Sequence, residues 1–166
     1  MTATPETSPD APRPTSAELL VLGQIPLIAA SFRRVRSEMP EQLRTTFEEH
    51  GLSARHGAVL TQLMAGEPAS VSELAKRLRL SLSTVSELVG ALGRSGLVVR
   101  EEDPANRRRT LVSFPPGVRE VYEEFVAIRC APLVRAMSKL SASDRAGFLA
   151  GLSAWADEER EMGGRD

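Results

Sequence analysis

The 166-residue sequence predicts a mainly α-helical fold with one small β ribbon, and three observations carry that prediction. Apolar residues recur at three- and four-residue steps through most of the chain, the mark of helices with one buried side. Two short helical patterns separated by about three residues occupy residues 71–94. Directly after them, LVVRE, DPANRRR and TLVSF read as strand, turn and strand, with Asp, Pro and Asn supplying the turn chemistry.

Composition sets the outer limits. Hydrophobic residues make up 42% and charged residues 26%, as in a soluble globular protein, and no apolar run approaches the ~20 residues of a membrane span. The length suits one domain, or two lobes sharing helices. The opening MTATPETSPDAPRP has no basic head followed by an apolar block, so it reads as neither secretory signal nor anchor. Its prolines and lack of large apolar residues predict a disordered tail over residues 1–16. With Cys130 the only cysteine, one chain can form neither a disulfide nor a thiolate metal cluster, and a cytoplasmic protein is expected.

Taken in order, Leu19, Leu22, Ile25, Ala29, Phe32 and Val35 predict an amphipathic first helix, in which Pro26 marks either the true start or a kink. A second helix is expected from the N-cap Ser53, carrying Val59, Leu60, Leu63 and Met64 until Gly66 and Pro68 stop it. Ser70 and Glu73 form a capping-box pattern before Val71, Leu74, Ala75 and Leu78. After a break at residues 79–81 a new helix runs from about Leu82 to Arg94. Two short helices, a tight turn and apolar sides that must meet make a helix-turn-helix. Pro116 suits the first position of a long helix with Val118, Val121, Tyr122, Phe125, Ile128 and Leu133 on one side, which Pro132 should kink or divide. A last helix opens at the capping box Ser141 to Asp144, carries Phe148, Leu149, Leu152 and Trp155, and ends in an acidic tail.

The helix at residues 82–94 is the candidate reading element. At 100° per residue, Val85, Leu88, Val89 and Leu92 lie within about 60° of one direction and should be buried. Ser83, Glu87, Gly90 and Arg94 fall opposite, flanked by Thr84, Ser86 and Ala91, a small polar surface able to sit in a major groove about 12 Å wide. A solvated surface helix would look similar taken alone. The charge distribution favours nucleic acid: the chain carries −1 overall, but residues 68–110 hold eight basic and five acidic side chains, a local +3 that leaves −4 elsewhere. Arg107, Arg108 and Arg109 would repel one another at a hairpin tip unless something anionic meets them, and an extended arginine can enter a minor groove.

The segment GLVVREEDPANRRRTLVSF resembles the pattern G-L-V-x-R-x-x-D-P-x-D-R-R of MarR-type winged-helix transcription regulators, and the likeness extends to SVSELAKRLRLSLSTVSELVGAL before it. The resemblance implies a winged helix-turn-helix lobe over residues 51–114. A helical dimerisation lobe would be built from an N-terminal helix region at 17–50 and C-terminal helices at 115–160, with a flexible end at 161–166. It implies a homodimer on a pseudo-palindromic DNA operator, commonly a repressor released by a small aromatic or phenolic ligand or by cysteine oxidation. Arg108 matches the wing arginine of the minor groove and Asp103 the acid that opens the turn. Ser81, Ser83, Thr84, Ser86, Glu87, Arg94, Arg100, Arg107, Arg108 and Arg109 become the candidate DNA-binding set, with Asp103 and Asn106 supporting the wing. Asn106 stands where the family usually has Asp, Glu87 where a base is frequent, and Gly93 where Glu is usual.

Other residues carry weaker signals. Cys130 is more readily a packing residue than an oxidation sensor. His50 and His56, near Glu48 and Glu49, match no standard metal-ligand spacing. Trp155 and Phe148 suit a dimer core, and Tyr122 and Phe32 become pocket walls only through the resemblance. No nucleophile with its base, Gly-rich phosphate loop or paired carboxylates stands out, so neither enzyme nor cofactor is expected. The rival reading is a winged helix kept as a protein-interaction module without DNA binding. Glu87 is the open question on the reading helix: it could accept from a cytosine amine, or orient Lys76 or Arg77 toward phosphate.

Overall fold

The structure, a computed structural model, describes residues 13–33 and 38–163. It divides into two units, residues 1–39 and residues 40–166. In the first, α1 (Ser16–Leu22) and α2 (Ile25–Arg33) are separate helices. Gly23 closes α1, and Pro26 is the second residue of α2, so the proline marks a start and not a kink. Thr15 caps α1, its Oγ1 accepting from the Glu18 N–H at 3.3 Å while its own N–H donates to Glu18 Oε2 at 2.6 Å. The end of the expected tail is thus a helix start; residues 1–12 and Val35 lie outside the described residues. Leu19, Leu22, Leu27, Ile28 and Phe32 are all exposed.

The second unit opens with a helix the sequence reading did not anticipate, α3 (Glu41–Glu49). Its apolar signal is only Leu43 and Phe47, one turn apart, and both are buried. Helix α4 (Ala54–Met64) starts at Ser53, with His56 Nδ1 accepting from the Ser53 N–H at 3.0 Å in the place a glutamate usually takes. Burial lowers the His56 pKa, which suits an acceptor nitrogen.

Strand β1 (Ala69–Ser70) leads into α5 (Val71–Leu78), a turn, and α6 (Leu82–Arg94); the wing is β2 (Val99–Asp103) and β3 (Asn106–Ser113). The three strands form one antiparallel sheet in the order β1-β3-β2, with Ala69 opposite Val112 and Arg100 also opposite Val112. Val59, Leu60, Leu63, Leu74, Val85, Val89, Leu92 and Val112 have essentially no exposure, so α4, α5, α6 and β3 share one core. Each such side chain contributes about 1.5–3 kcal/mol relative to leaving it in water.

Helix α7 (Val118–Ser138) begins later than Pro116 suggested: Gly117, at φ 82°, is its N-cap. A left-handed residue is needed there because the chain turns sharply out of Pro115 and Pro116, and glycine adopts that conformation without a Cβ clash. Glu67 anchors the junction, its Oε1 accepting from the Phe114 N–H at 2.6 Å and its Oε2 pairing with Arg119. Pro132 lies inside α7 without dividing it. Tyr122 and Phe125 are buried near the helix start, but Ile128 and Leu133 are exposed further along, so the long apolar side predicted for this helix is covered only in its first half. Helix α8 (Ala142–Gly163) is capped by Ser141, whose Oγ accepts from the Asp144 N–H at 3.1 Å. It continues through the acidic segment, and part of the expected end tail, residues 161–163, is helical.

Candidate nucleic-acid interface

The helix-turn-helix is built from local bonds. The Ser70 N–H donates to Glu73 Oε2 at 2.8 Å and the Glu73 N–H to Ser70 Oγ at 3.2 Å, completing the capping box of α5. Helix α5 ends at Arg79, a left-handed residue at φ 52°, beyond which the Leu80 N–H reaches back to the Ala75 carbonyl at 3.1 Å. Arg79 also pairs with Asp157 of α8. Ser81 then caps α6: its Oγ accepts from the Thr84 N–H at 3.1 Å and lies 2.9 Å from Ser83 Oγ and 2.7 Å from Thr84 Oγ1. The three hydroxyls form one cluster at the start of the reading helix.

Helix α6 presents the two sides its sequence predicts. Val85, Leu88, Val89 and Leu92 are buried, whereas Ser83, Ser86, Glu87 and Arg94 are exposed and Thr84 is half-buried. Arg100 reaches from β2 to α6, its Nη2 donating to the Ser86 carbonyl at 3.1 Å. A Cβ on Gly90 would lie 3.5 Å from Arg94 Nη1 and 3.8 Å from Arg100 Nη2, so both guanidinium groups gather beside that glycine. Glu87 forms no ion pair among the described residues. Arg77 is not available to it: Nη1 donates to the Gln62 and Gly66 carbonyls at 3.1 Å each, closing the end of α4. A Cβ at Gly66 would come within 2.9 Å of that guanidinium.

The wing differs from the basic hairpin tip that the sequence suggested. The turn is only Pro104 and Ala105, stabilised by the Ala105 N–H donating to Asp103 Oδ1 at 2.9 Å, and all three arginines belong to β3. The register jumps from Glu102 opposite Thr110 to Asp103 opposite Asn106, leaving residues 107–109 opposite no residue of β2. A bulge of this kind locally interrupts the ladder and re-aims the side chains it carries. The side chains of Arg107 and Arg108 lie outside the described residues. Arg109 turns to protein groups, with Nη2 2.6 Å from Glu73 Oε1 and Nε 3.8 Å from Asp103 Oδ2. Sequence reading had no means to find this pair, because the partners belong to different elements far apart in the chain.

A second feature of the same unit is a cleft of about 270 Å³ lined by Leu43 and Thr46 of α3, Leu97, Gly117, and Val118 and Val121 of α7. Tyr122 is not one of its walls. That residue is buried in the core, where it stacks on Phe114 at a ring separation of 6.2 Å and donates to the Gly57 carbonyl at 2.8 Å. Phe32 lies exposed on α2. Trp155 and Phe148, expected in a dimer core, are exposed on α8 in the single chain, as are Leu149 and Leu152.

Comparison with known proteins follows the same lines. Residues 50–109 match the family model described as MarR family. A Bacillus subtilis (strain 168) protein, YkoM, described as an uncharacterized HTH-type transcriptional regulator, is 27% identical over 114 residues, which are 69% of this chain and 74% of that one. Two solved structures share the fold. The PcaV transcriptional regulator of Streptomyces coelicolor, in complex with its natural ligand, has a TM-score of 0.54 and 23% identity over 89% of this chain and 97% of its own. MepR of S. aureus in a DNA complex has a TM-score of 0.54 and 20% identity over 88% of this chain and 99% of its own.

Proposed function

We propose that the protein is a DNA-binding transcription regulator of the MarR family, whose model residues 50–109 match, and that it acts as a homodimeric repressor on a pseudo-palindromic operator. The observation that carries this reading is α6, which buries its whole apolar stripe and leaves Ser83, Ser86, Glu87 and Arg94 outward beside Arg100 and the arginine-bearing β3. A helix so disposed can enter a major groove, with the hydroxyl cluster near its start bonding phosphate or base edges. Two such helices related by a two-fold axis read half-sites about 34 Å apart. Arg94 and Arg100 supply phosphate contacts, and Arg108 reads the minor groove.

The dimer is supported by the open apolar side of α8, where Leu149, Leu152 and Trp155 remain uncovered in one chain. Release by a small aromatic or phenolic molecule is supported by the cleft between α3 and the start of α7, whose size and mostly apolar walls suit a single ring. No described helix is long and apolar enough to cross a membrane; we place the protein in the cytoplasm, where its DNA would be.

The test is electrophoretic shift of duplexes selected from a random pool by the purified chain, repeated across a salt series. Binding that weakens steeply and linearly on a log–log salt plot is expected. Binding independent of salt, or absent at low salt, would instead favour the protein-interaction module, for which the acid Glu87 on α6, in no ion pair among the described residues, speaks. Glu87→Gln separates the two roles of that acid. A changed base preference marks contact with a cytosine amine, and a uniform loss of affinity marks positioning through Lys76.

A further inference from the structure

Arg109 belongs to the most basic stretch of the chain, yet its guanidinium is spent on protein carboxylates. Glu73 on α5 divides its two oxygens: Oε2 accepts from the Ser70 N–H at 2.8 Å and the Ser70 hydroxyl at 3.0 Å, and Oε1 meets Arg109 Nη2 at 2.6 Å. The capping box therefore holds the acid in place before Arg109 arrives. Asp103 approaches from the other side, its side chain only 12% exposed and already bonded to the turn through Oδ1. Arg109 thus links the first helix of the helix-turn-helix to the closing turn of the wing.

The sheet explains why such a link matters. Strand β3 is fixed by β1 at residues 111–112, where Ser70 faces Leu111 and Ala69 faces Val112, and by β2 up to Thr110. Beyond Thr110 the register breaks, and residues 107–109 have no cross-strand partner in β2. The segment carrying the arginines is the part of the wing the ladder does not hold. Arg109 is its last residue before regular pairing resumes, and Arg108 occupies the strand position of opposite parity.

We propose that Arg109 is a positioning residue, not a phosphate contact: its ion pair with Glu73 fixes the bulged segment of the wing against α5, so that Arg108 meets DNA in one orientation. The inference rests on the DNA-binding reading for its consequence, though the pair itself can be tested without DNA. Gln at position 73 still serves a capping box, so Glu73→Gln removes the ion pair while sparing the helix start.

On a duplex selected by the wild-type chain, Arg109→Ala and Glu73→Gln should each weaken binding by about 3- to 10-fold. The double variant should be no weaker than either single one, because both changes remove the same link. The salt slope should stay unchanged. If Arg109 instead touched phosphate, Arg109→Ala would lower that slope by about one, and Glu73→Gln would bind as well as the wild type or better, having lost a nearby negative charge; that pattern overturns the proposal. Without DNA, the Glu73 carboxyl, held down at about 2 by the Ser70 backbone bond, Arg109 and the Ser70 hydroxyl, should titrate higher in Arg109→Ala as followed by NMR. Hydrogen exchange should quicken at residues 107–109 in Glu73→Gln. Unchanged titration and exchange would also overturn it. A wild-type chain that binds no duplex defeats the DNA reading, while these two measurements still decide whether the wing is pinned.

Discussion

The winged helix and the last helix both carry regularly spaced large apolar residues, and they treat them in opposite ways. Leu60, Leu63, Leu74 and Leu92 of the winged helix have no measurable exposure, whereas Leu149, Leu152 and Trp155 on α8 are 47%, 43% and 46% exposed. The first set meets partners from α4, α5, α6 and β3 within the same chain. The second lies along one side of α8 and stays exposed. A lobe built the first way keeps its shape alone; a helix built the second way needs a surface brought to it. The candidate reading surface therefore rests on intrachain packing, and the proposed dimer would use the part that packing leaves bare.

Five perturbations probe that contrast. The largest effect is expected inside the lobe: Leu60→Ala should destabilise it by about 3–5 kcal/mol in chemical denaturation, with DNA binding lost along with the fold. Leu152→Glu should leave the lobe's unfolding midpoint nearly unchanged but weaken self-association by roughly 2 kcal/mol or more, read as a shift to monomer in sedimentation. Should it unfold the lobe instead, the two regions are not separable. Arg108→Ala should lower DNA affinity by about ten-fold without moving the sedimentation coefficient; equal binding would remove the wing from the interface. Tyr122→Phe, which deletes the bonds to the Gly57 carbonyl and Thr61, should cost about 1 kcal/mol. The smallest effect is a pH dependence. Burial lowers the folded-state pKa of His56 below its ordinary 6.5, so its contribution is fully present above pH 6.5 and is lost as pH falls through the lower folded value. His56→Gln should flatten that part of the stability profile, measured as unfolding midpoint against pH.

What was legible in the sequence was local. The capping box at Ser70, the side-chain cap at Ser141, the break at residues 79–81, the buried stripe of α6 and the turn chemistry of the wing are all set by residues within about four positions of one another. Helix α3 escaped because Thr45, Thr46 and its charged residues dilute a signal of just two apolar side chains. Strand β1, two residues long, exists only through its partner β3. Arg77 reads as a partner for Glu87 until the end of α4 places two carbonyls beside it, and the apolar side that carries Tyr122 gives no sign that its hydroxyl meets Gly57, 65 residues away.

The wing shows where the division falls. Sequence by itself determined that a turn would form within DPANRRR, that this stretch would be strongly basic, and that a helix with one polar side would precede it, because turn chemistry and helical periodicity act between near neighbours. Only the tertiary structure decided that the register would slip between Asn106 and Thr110 and that Arg109 would find Glu73 and not solvent. An ion pair depends on distance in space, and the separation of α5 from β3 is fixed by the core beneath them.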